Sequence, residues 1–166
     1  MSEIELPYDE VKQNMINDLL KHDLMTLATG DGERVYARTV MTTFDDLTVY
    51  LGTKKNSRKF QQIESNPYVA LAGGRFQIEG KATILGHPKD EENSVYLDRF
   101  KAQQPERFES QNGRGNFDNS NMRVIKIEPD RVAYYVQGST ADESYIAVLE
   151  PEKSKAYKLT REKDQF

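Results

Sequence analysis

The strongest constraint on the fold is a series of short alternating segments separated by tight turns. The run from Leu24 to Gly30, LMTLATG, is apolar and rich in threonine, and it ends at Asp31-Gly32, a pair typical of two-residue hairpins. The next segment, Arg34 to Phe44, alternates between two faces, and Leu47 to Thr53 follows after a turn at Asp45-Asp46. Strands joined in this way form an antiparallel meander, which we predict here.

Further β-rich segments extend this pattern along the chain. They are residues 68–74, 75–85 and 122–136, with 145–150 as a possible further strand, and Pro129-Asp130 would bend the third of them. Six or more short antiparallel strands at close spacing are typical of a barrel. We therefore predict a mainly β, α+β fold, in which a six-stranded antiparallel β-barrel is flanked by helices.

Three segments carry helix signals. Residues 8–22 place apolar side chains at helical intervals. A shorter helix should begin after Ser57 or Asn56 as N-cap and end before Pro67. Residues 88–103 open with acidic side chains after a proline, which also favours a helix.

The rest of the chain is predicted to be irregular. Residues 104–121 are polar, contain glycine and show no periodicity, so we predict a long loop. The 166 residues fit a single domain, 1–166, in which 145–166 form a possible extension that ends in a lysine-rich, solvated tail.

Composition excludes several kinds of site. The chain has no cysteine and only two histidines, His22 and His87, so a thiol nucleophile, a disulfide framework and a multi-histidine metal site are not expected. A net charge of -4 and a pI near 5.3 argue against a general nucleic-acid binder. The N-terminus lacks signal-peptide features and no apolar run approaches ~20 residues, so we expect a cytoplasmic protein without a membrane partner.

A cluster of positive charge follows the third predicted strand. The six residues KKNSRK contain four cations, which are Lys54, Lys55, Arg58 and Lys59. The predicted helix starts here, so its free backbone N–H groups and the positive end of its dipole would face the same space. This arrangement favours a phosphate group, with Ser57 as an additional hydroxyl donor.

Arg38 adds to the case for an anion site. It would share a strand face with Tyr36 and Val40, where burying a guanidinium without an anion is costly. In the alternative interpretation the lysines form a solvated turn and Arg38 lies on the exposed face. Residue spacing alone leaves both interpretations open.

Several motifs, in this order, resemble those of the pyridoxamine 5'-phosphate oxidase-like superfamily, the FMN-binding split β-barrels. They are RTVM at 38–41, GTKKNSRK at 52–59 and NPYVAL at 66–71. The resemblance runs from about Leu24 to Leu85 and resumes at 123–138, RVIKIEPDRVAYYVQG. Within the superfamily, the chain is most similar to the general stress protein type.

The resemblance implies an FMN site in a groove between the two subunits of a homodimer. The positions that match the family's cofactor motifs are Arg38, Thr39, Val40, Met41, Gly52, Thr53, Ser57, Arg58 and Lys59, with Arg75 or Gln77 reaching the flavin of the other subunit. Arg38 and the serine-arginine-lysine clamp would serve the phosphate, and the backbone after Arg38 would lie along the flavin ring. Gly52 departs from the family pattern, which has an aromatic residue there.

The C-terminal motif also departs from that of true pyridoxamine phosphate oxidases. Val136 stands where they have a tryptophan, and STADES replaces their arginine- and histidine-rich substrate segment, so oxidation of vitamin B6 phosphate is not expected. The resemblance then implies an FMN-dependent oxidoreductase that uses NAD(P)H or another small reductant on an unidentified small molecule. The alternatives are a non-catalytic flavin-binding, storage or stress-sensing module, or a relative that binds deazaflavin or haem.

Overall fold

In the computed structural model, which describes residues 2–160, the chain forms ten strands and four α-helices. The strands are β1 (Ser2–Glu5), β2 (Leu24–Gly30), β3 (Val35–Met41), β4 (Thr43–Asp45), β5 (Thr48–Lys54), β6 (Tyr68–Gly73), β7 (Phe76–Ile84), β8 (Met122–Val136), β9 (Tyr145–Glu150) and β10 (Lys155–Thr160). The helices are α1 (Tyr8–Leu19), α2 (Arg58–Ser65), α3 (Ser94–Gln103) and α4 (Pro105–Gly113), and short 3-10 turns lie at Glu91–Asn93, Asn116–Asp118 and Pro151–Lys153. Within residues 2–160, no helix is long and apolar enough to cross a membrane.

The ten strands form one antiparallel sheet. Its order is β1-β10-β9-β8-β7-β6-β2-β3, and β5 pairs with β4 and with the first half of the long strand β8. The sheet is not closed, because β3 and β5 approach each other without hydrogen-bonded pairing. We call the gap between these two strands the split. The prediction of a mainly antiparallel β fold with flanking helices is confirmed, although the sheet has ten strands where six were predicted.

A break at Thr42 produces the split. The predicted strand 34–44 is interrupted there, so its last part, β4, pairs with β5 while β3 does not. Thr42 is buried; its N–H and hydroxyl donate to the carbonyl groups of Asp23 and His22, and its own carbonyl accepts from Gln104 Nε2 at 2.6 Å. The predicted three-stranded meander is therefore wrong, because these distant contacts interrupt its middle strand.

The main core packs against one face of the sheet. Along β2, Met25 and Leu27 point into it while Leu24 and Thr26 point outwards, which is the period-two pattern of a half-buried strand. Helices α1 and α2 cover this core with Met15, Leu19, Phe60 and Ile63. Burying each large apolar side chain contributes roughly 1.5–3 kcal/mol.

The long strand β8 carries a bulge opposite Gly80. Gly80 lies opposite Pro129 and Glu79 lies opposite Arg131, which leaves Asp130 as an extra residue. A Cβ at Gly80 would lie only 2.5 Å from the Glu128 carbonyl oxygen, so the close approach of the two strands requires glycine. The predicted bend at Pro129-Asp130 is confirmed as an irregularity within a single strand.

A second, smaller core lies on the opposite face of β5 and β8, beneath α3 and α4. Phe100 of α3 packs edge-on against Phe108 and Phe117, with ring centroids 5.7 Å and 6.1 Å away. The predicted loop over 104–121 is wrong, because Pro105 begins α4 and these aromatic rings fix the segment against the sheet. Proline at the first helical position is a recognised start signal.

The chain ends also differ from the prediction. The prediction of a solvated tail is wrong up to Thr160, because this segment forms β10, pairs with β9, and buries Ala156 and Tyr157. The strand β1, which was not predicted, pairs with β10 at the edge of the sheet. The predicted strand at 145–150 is confirmed as β9. The remainder of the predicted tail, 161–166, lies outside the described residues.

Candidate functional site

Helix α2 begins beside the split, directly after β5. Ser57 is its N-cap, as predicted, because the Ser57 hydroxyl accepts a hydrogen bond from Phe60 N at 3.3 Å. The same oxygen lies 2.9 Å from Thr53 Oγ1 at the end of β5. The structure therefore brings the predicted residues Thr53 and Ser57 together and places two hydroxyl groups at the start of α2.

Arg38 lies on the inner face of β3, between Tyr36 and Val40, and is partly buried. Its Nη1 donates to Leu27 O at 3.2 Å and to Thr29 Oγ1 at 2.7 Å, and its Nη2 donates to Gln62 Oε1 at 3.2 Å. The predicted position of Arg38 on the inward face is confirmed, and the alternative position on the exposed face is wrong.

Arg58 and Lys59 extend this site at the first turn of α2. The Arg58 guanidinium lies over the Tyr36 ring, 4.8 Å from the ring centroid. Burial, followed by the charge of Arg58, lowers the pKa of Arg38; burial, followed by the charge of Arg38, lowers the pKa of Lys59. Arg38 is therefore close enough to both Arg58 and Lys59 for their positive charges to repel its own. We call Arg38, Arg58 and Lys59 the cation cluster.

The cation cluster has no acidic partner among residues 2–160. No Asp or Glu oxygen of that part of the chain lies within 4.0 Å of a charged nitrogen of the three side chains. Three neighbouring cations without a carboxylate are costly to hold together unless an anion joins them. Free backbone N–H groups at the start of α2 add to the preference for an anion.

A small hollow adjoins the cluster between the β2–β3 hairpin and α2. It has a volume of about 230 Å³, and its lining residues include Tyr36, Arg58, Gln62 and Asp31. The Asp31 carboxylate accepts hydrogen bonds from the backbone of Glu33 and Arg34. Lys54 and Lys55 are exposed and belong to neither the hollow nor the cluster. The hollow therefore opens directly onto Arg58.

The other predicted cofactor positions on β3 and β5 lie further along the split, towards α3. Met41 packs against the second core, while Thr39 is exposed on the outer face of β3. A Cβ at Gly52 would lie 2.9 Å from Tyr96 Oη, so the Tyr96 side chain fills the space beside this glycine. Tyr96 is buried, and its burial raises its pKa above that of an ordinary tyrosine.

Arg75 and Gln77 lie elsewhere in the same chain. Gln77 is in register with Ala72, Thr26 and Thr39 in turn, which places it three strands, or about 14 Å, from the Thr39 backbone. Arg75 donates to Gln137 Oε1 at 3.2 Å. Both line a second hollow of about 400 Å³ at the β6–β7 turn. The structure does not bring these two predicted residues to the cation cluster of their own chain.

Sequence reasoning missed two side chains of the site, Thr29 and Gln62. Both are polar residues at positions that point inwards, Thr29 in line with Leu27 on β2 and Gln62 between Phe60 and Ile63 on α2. A polar residue in an apolar pattern is the signal that could have identified each of them.

The fold and the site together define a class of protein, an open antiparallel β-sheet fold with a cluster of cations where its split meets a helix start. The chain belongs to the pyridoxamine 5'-phosphate oxidase family, whose model matches residues 12–136. General stress protein 26 of Bacillus subtilis (strain 168) is 27% identical over 127 residues, covering 74% of this chain and 86% of that protein.

Two solved structures illustrate how widely this fold is used. A pyridoxamine 5'-phosphate oxidase-related, FMN binding protein from Nostoc punctiforme PCC 73102 matches 98% of this chain and 100% of its own, with a TM-score of 0.60 and 14% identity. A heme binding protein from Mycobacterium smegmatis matches 91% of this chain and 61% of its own, with a TM-score of 0.63 and 15% identity. At these identities the similarity establishes the fold alone.

Proposed function

We propose that this protein binds FMN through its phosphate group at the cation cluster and acts as an FMN-dependent oxidoreductase on a small molecule. The observation that carries the proposal is the group of three cations, Arg38, Arg58 and Lys59, beside two hydroxyl groups and a helix start, without an acidic partner in residues 2–160. Family membership and the FMN binding protein of the same fold support the choice of cofactor.

The residues present suit each part of FMN. Arg58 and Arg38 offer planar guanidinium groups for phosphate oxygens, and Lys59 adds a point charge. Beyond the phosphate, the free edge of β3 from Thr39 to Met41 offers unpaired backbone groups to the polar edge of the flavin ring. FMN would supply the redox chemistry, and the chain would bind and orient it.

We further propose that the site is completed in a homodimer. Gln77 lies three strands, or about 14 Å, from the Thr39 backbone within one chain, and Arg75 lies in the turn just before it. The two side chains would therefore reach a flavin at the split from a second subunit. The hollow beside them would then join the substrate side of that flavin. We also propose that the protein is cytoplasmic and that it does not oxidise vitamin B6 phosphate.

The haem alternative has less support from the two histidines. His87 Nε2 lies 3.1 Å from Asn119 O, and its Nδ1 accepts from Lys89 N at 3.2 Å, so both nitrogens already have protein partners. The His22 ring packs edge-on against Phe76, 5.7 Å between centroids. Haem requires an axial ligand, and neither ring is placed freely for that role.

The first test is the ligand spectrum and titration of the purified wild-type protein. We expect bands near ~450 nm that survive desalting, or saturable FMN binding at one molecule per subunit after cofactor removal. Bleaching of these bands by NADH or NADPH, and their return with an electron acceptor, would support turnover. Bound flavin that neither coenzyme reduces would favour the storage or sensing alternative, and a Soret band or no flavin binding would overturn the proposal.

A further inference from the structure

Among the described residues 2–160, Arg38 donates hydrogen bonds to uncharged acceptors only. Thr29 and Gln62, which are 1% and 5% exposed, accept its hydrogen bonds together with the Leu27 carbonyl. Arginine buried beside a strand is commonly paired with a carboxylate, which cancels its charge. Here the side chain is fixed in position while its charge is retained.

The chemistry of arginine determines which atoms donate and which accept in this hydrogen-bond network. Arginine can only donate, so Thr29 Oγ1 accepts from Arg38 Nη1 and directs its own hydrogen to Gln62 Oε1. Gln62 Oε1 then accepts from both Thr29 and Arg38 Nη2. Three of the five N–H donors of Arg38 are used in these bonds. The remaining two donate to no acceptor within residues 2–160.

The retained charge adds to that of Arg58 and Lys59. Burial, followed in each case by one neighbouring cation, lowers the pKa values of Arg38 and Lys59, so both factors disfavour the charged forms of these two side chains. A phosphate monoester carries close to two negative charges above its second pKa of ~6, whereas a phosphodiester carries one. A cluster with no internal counter-charge discriminates between these two ligands more strongly than a neutralised one does.

We propose that Gln62 and Thr29 are positioning residues that aim Arg38 without neutralising it, and thereby select a phosphate monoester dianion over phosphodiester and phosphate-free flavins. This inference rests on the proposed function. It assigns the specificity of the site to two side chains that lie outside the clamp motif.

The decisive variant is Gln62→Glu, which keeps the shape of the side chain and adds one negative charge beside Arg38. Affinities for FMN, for riboflavin 4',5'-cyclic phosphate and for riboflavin are measured by flavin fluorescence at pH 7.5. We expect FMN affinity to fall roughly ten- to a hundredfold, cyclic phosphate affinity to fall less, and riboflavin affinity to stay unchanged. The control is Gln13→Glu, which adds the same charge at an exposed position on α1 and should leave all three affinities as in the wild type.

The outcomes separate this inference from the proposed function. If wild-type protein does not bind FMN, both fail; if wild type binds FMN and folded Gln62→Glu protein binds it equally well, only this inference is overturned. Should Gln62→Glu not fold, Thr29→Val decides, because it removes the hydroxyl and keeps the volume. We expect Thr29→Val to lower FMN affinity about three- to tenfold at unchanged riboflavin affinity, and equal losses for both flavins would indicate a merely structural role.

Discussion

Lys59 shows how a single side chain connects binding with the stability of the cofactor-free protein. Burial and the charge of Arg38 both disfavour its protonated form, so folding without a ligand works against this charge. An anion in the cluster would remove much of that penalty. Lys59 would therefore lower the stability of the cofactor-free protein and raise its affinity for the proposed anion.

Replacing Lys59 by methionine separates these two effects. We expect Lys59→Met to raise the free energy of unfolding of the cofactor-free protein by up to about 1 kcal/mol, because the charge repulsion is removed. FMN affinity should fall at the same time. Urea unfolding with and without FMN measures both changes, and Lys55→Met, at an exposed position, is the matched control.

The stabilisation expected for Lys59→Met should depend on pH, in a direction that follows from the lowered pKa of Lys59. The folded-state pKa of Lys59 lies below its value of 10.5 in the unfolded chain, so the unfolded state binds more protons between those two values. Wild-type stability should therefore rise with pH in that window, and the Lys59→Met advantage should shrink there. An advantage that stays constant up to pH 10.5 would contradict this account.

The close approach of Gly52 to Tyr96 leads to a second prediction about individual residues. A Cβ at Gly52 would meet Tyr96 Oη at 2.9 Å, so Gly52→Ala should destabilise the fold by about 1–3 kcal/mol. In a Tyr96→Phe background the obstructing oxygen is absent, and the cost of Gly52→Ala should fall by at least about 1 kcal/mol. Unfolding free energies of the four proteins give the coupling, and strictly additive effects would show that Tyr96 does not limit the space at Gly52.

At the scale of elements, the start of α2 concentrates the groups that we propose to bind phosphate, and the lysines just before it would contribute only a general electrostatic field. Ser57, Thr53 and the first turn of α2 form one hydrogen-bonded unit beside Arg38. Lys54 and Lys55 lie between Thr53 and Ser57 in the sequence and are exposed. The two lysine positions therefore provide a charge-matched comparison for the clamp.

The double variant Arg58→Ala with Lys59→Ala should give a folded, colourless protein. Each loss removes a charged contact to phosphate, so we expect FMN affinity to fall by about a hundredfold or more. The double variant Lys54→Ala with Lys55→Ala removes the same charge and should lower affinity less than about tenfold, with a stronger dependence on salt. Similar losses in both proteins would mean that net charge, rather than the clamp, determines binding.

Local signals predicted the elements whose ends are set by neighbouring residues. Asp31-Gly32 marks the β2–β3 hairpin and Ser57 marks the start of α2, and both are correct because the decisive contacts lie within a few residues. The break at Thr42 could not be predicted, because it depends on hydrogen bonds to His22 and Gln104. Such contacts are formed only once the chain has folded.

The same distinction applies to the site and to the chain ends. The motif residues of the clamp are contiguous, whereas Thr29 and Gln62 meet across 33 positions of sequence. The helix α4 is fixed by packing of Phe108 on Phe117, with 5.2 Å between their centroids, and β10 is fixed by pairing with two other strands. Polarity alone made both segments look irregular, although tertiary contacts order them.

On the scale of the whole molecule, the proposed site draws on two subunits. The cation cluster and the Arg75–Gln77 hollow lie at different places on one chain, so each protomer would contribute one half to each of two sites. Light scattering should then give twice the mass of the chain. This arrangement can be tested by mixing subunits.

Mixed dimers provide that test. One parent carries Arg58→Ala with Lys59→Ala, and the other carries Arg75→Ala with Gln77→Ala; each alone should bind FMN poorly. After unfolding and refolding together, half of the dimers would be mixed, and each of those would have one intact site. About a quarter of all sites should therefore regain FMN affinity. No recovery would indicate a site built within one subunit.

The free edge of β3 also sets a condition on how the protein is produced. Unpaired backbone groups on an edge strand are a template for other extended chains, and the outward side chains Val35, Ala37 and Thr39 carry no charge to oppose this. If the proposed cofactor and second subunit cover that edge, copies made faster than it is covered are prone to precipitate. The yield of soluble protein should accordingly follow the supply of riboflavin in the growth medium.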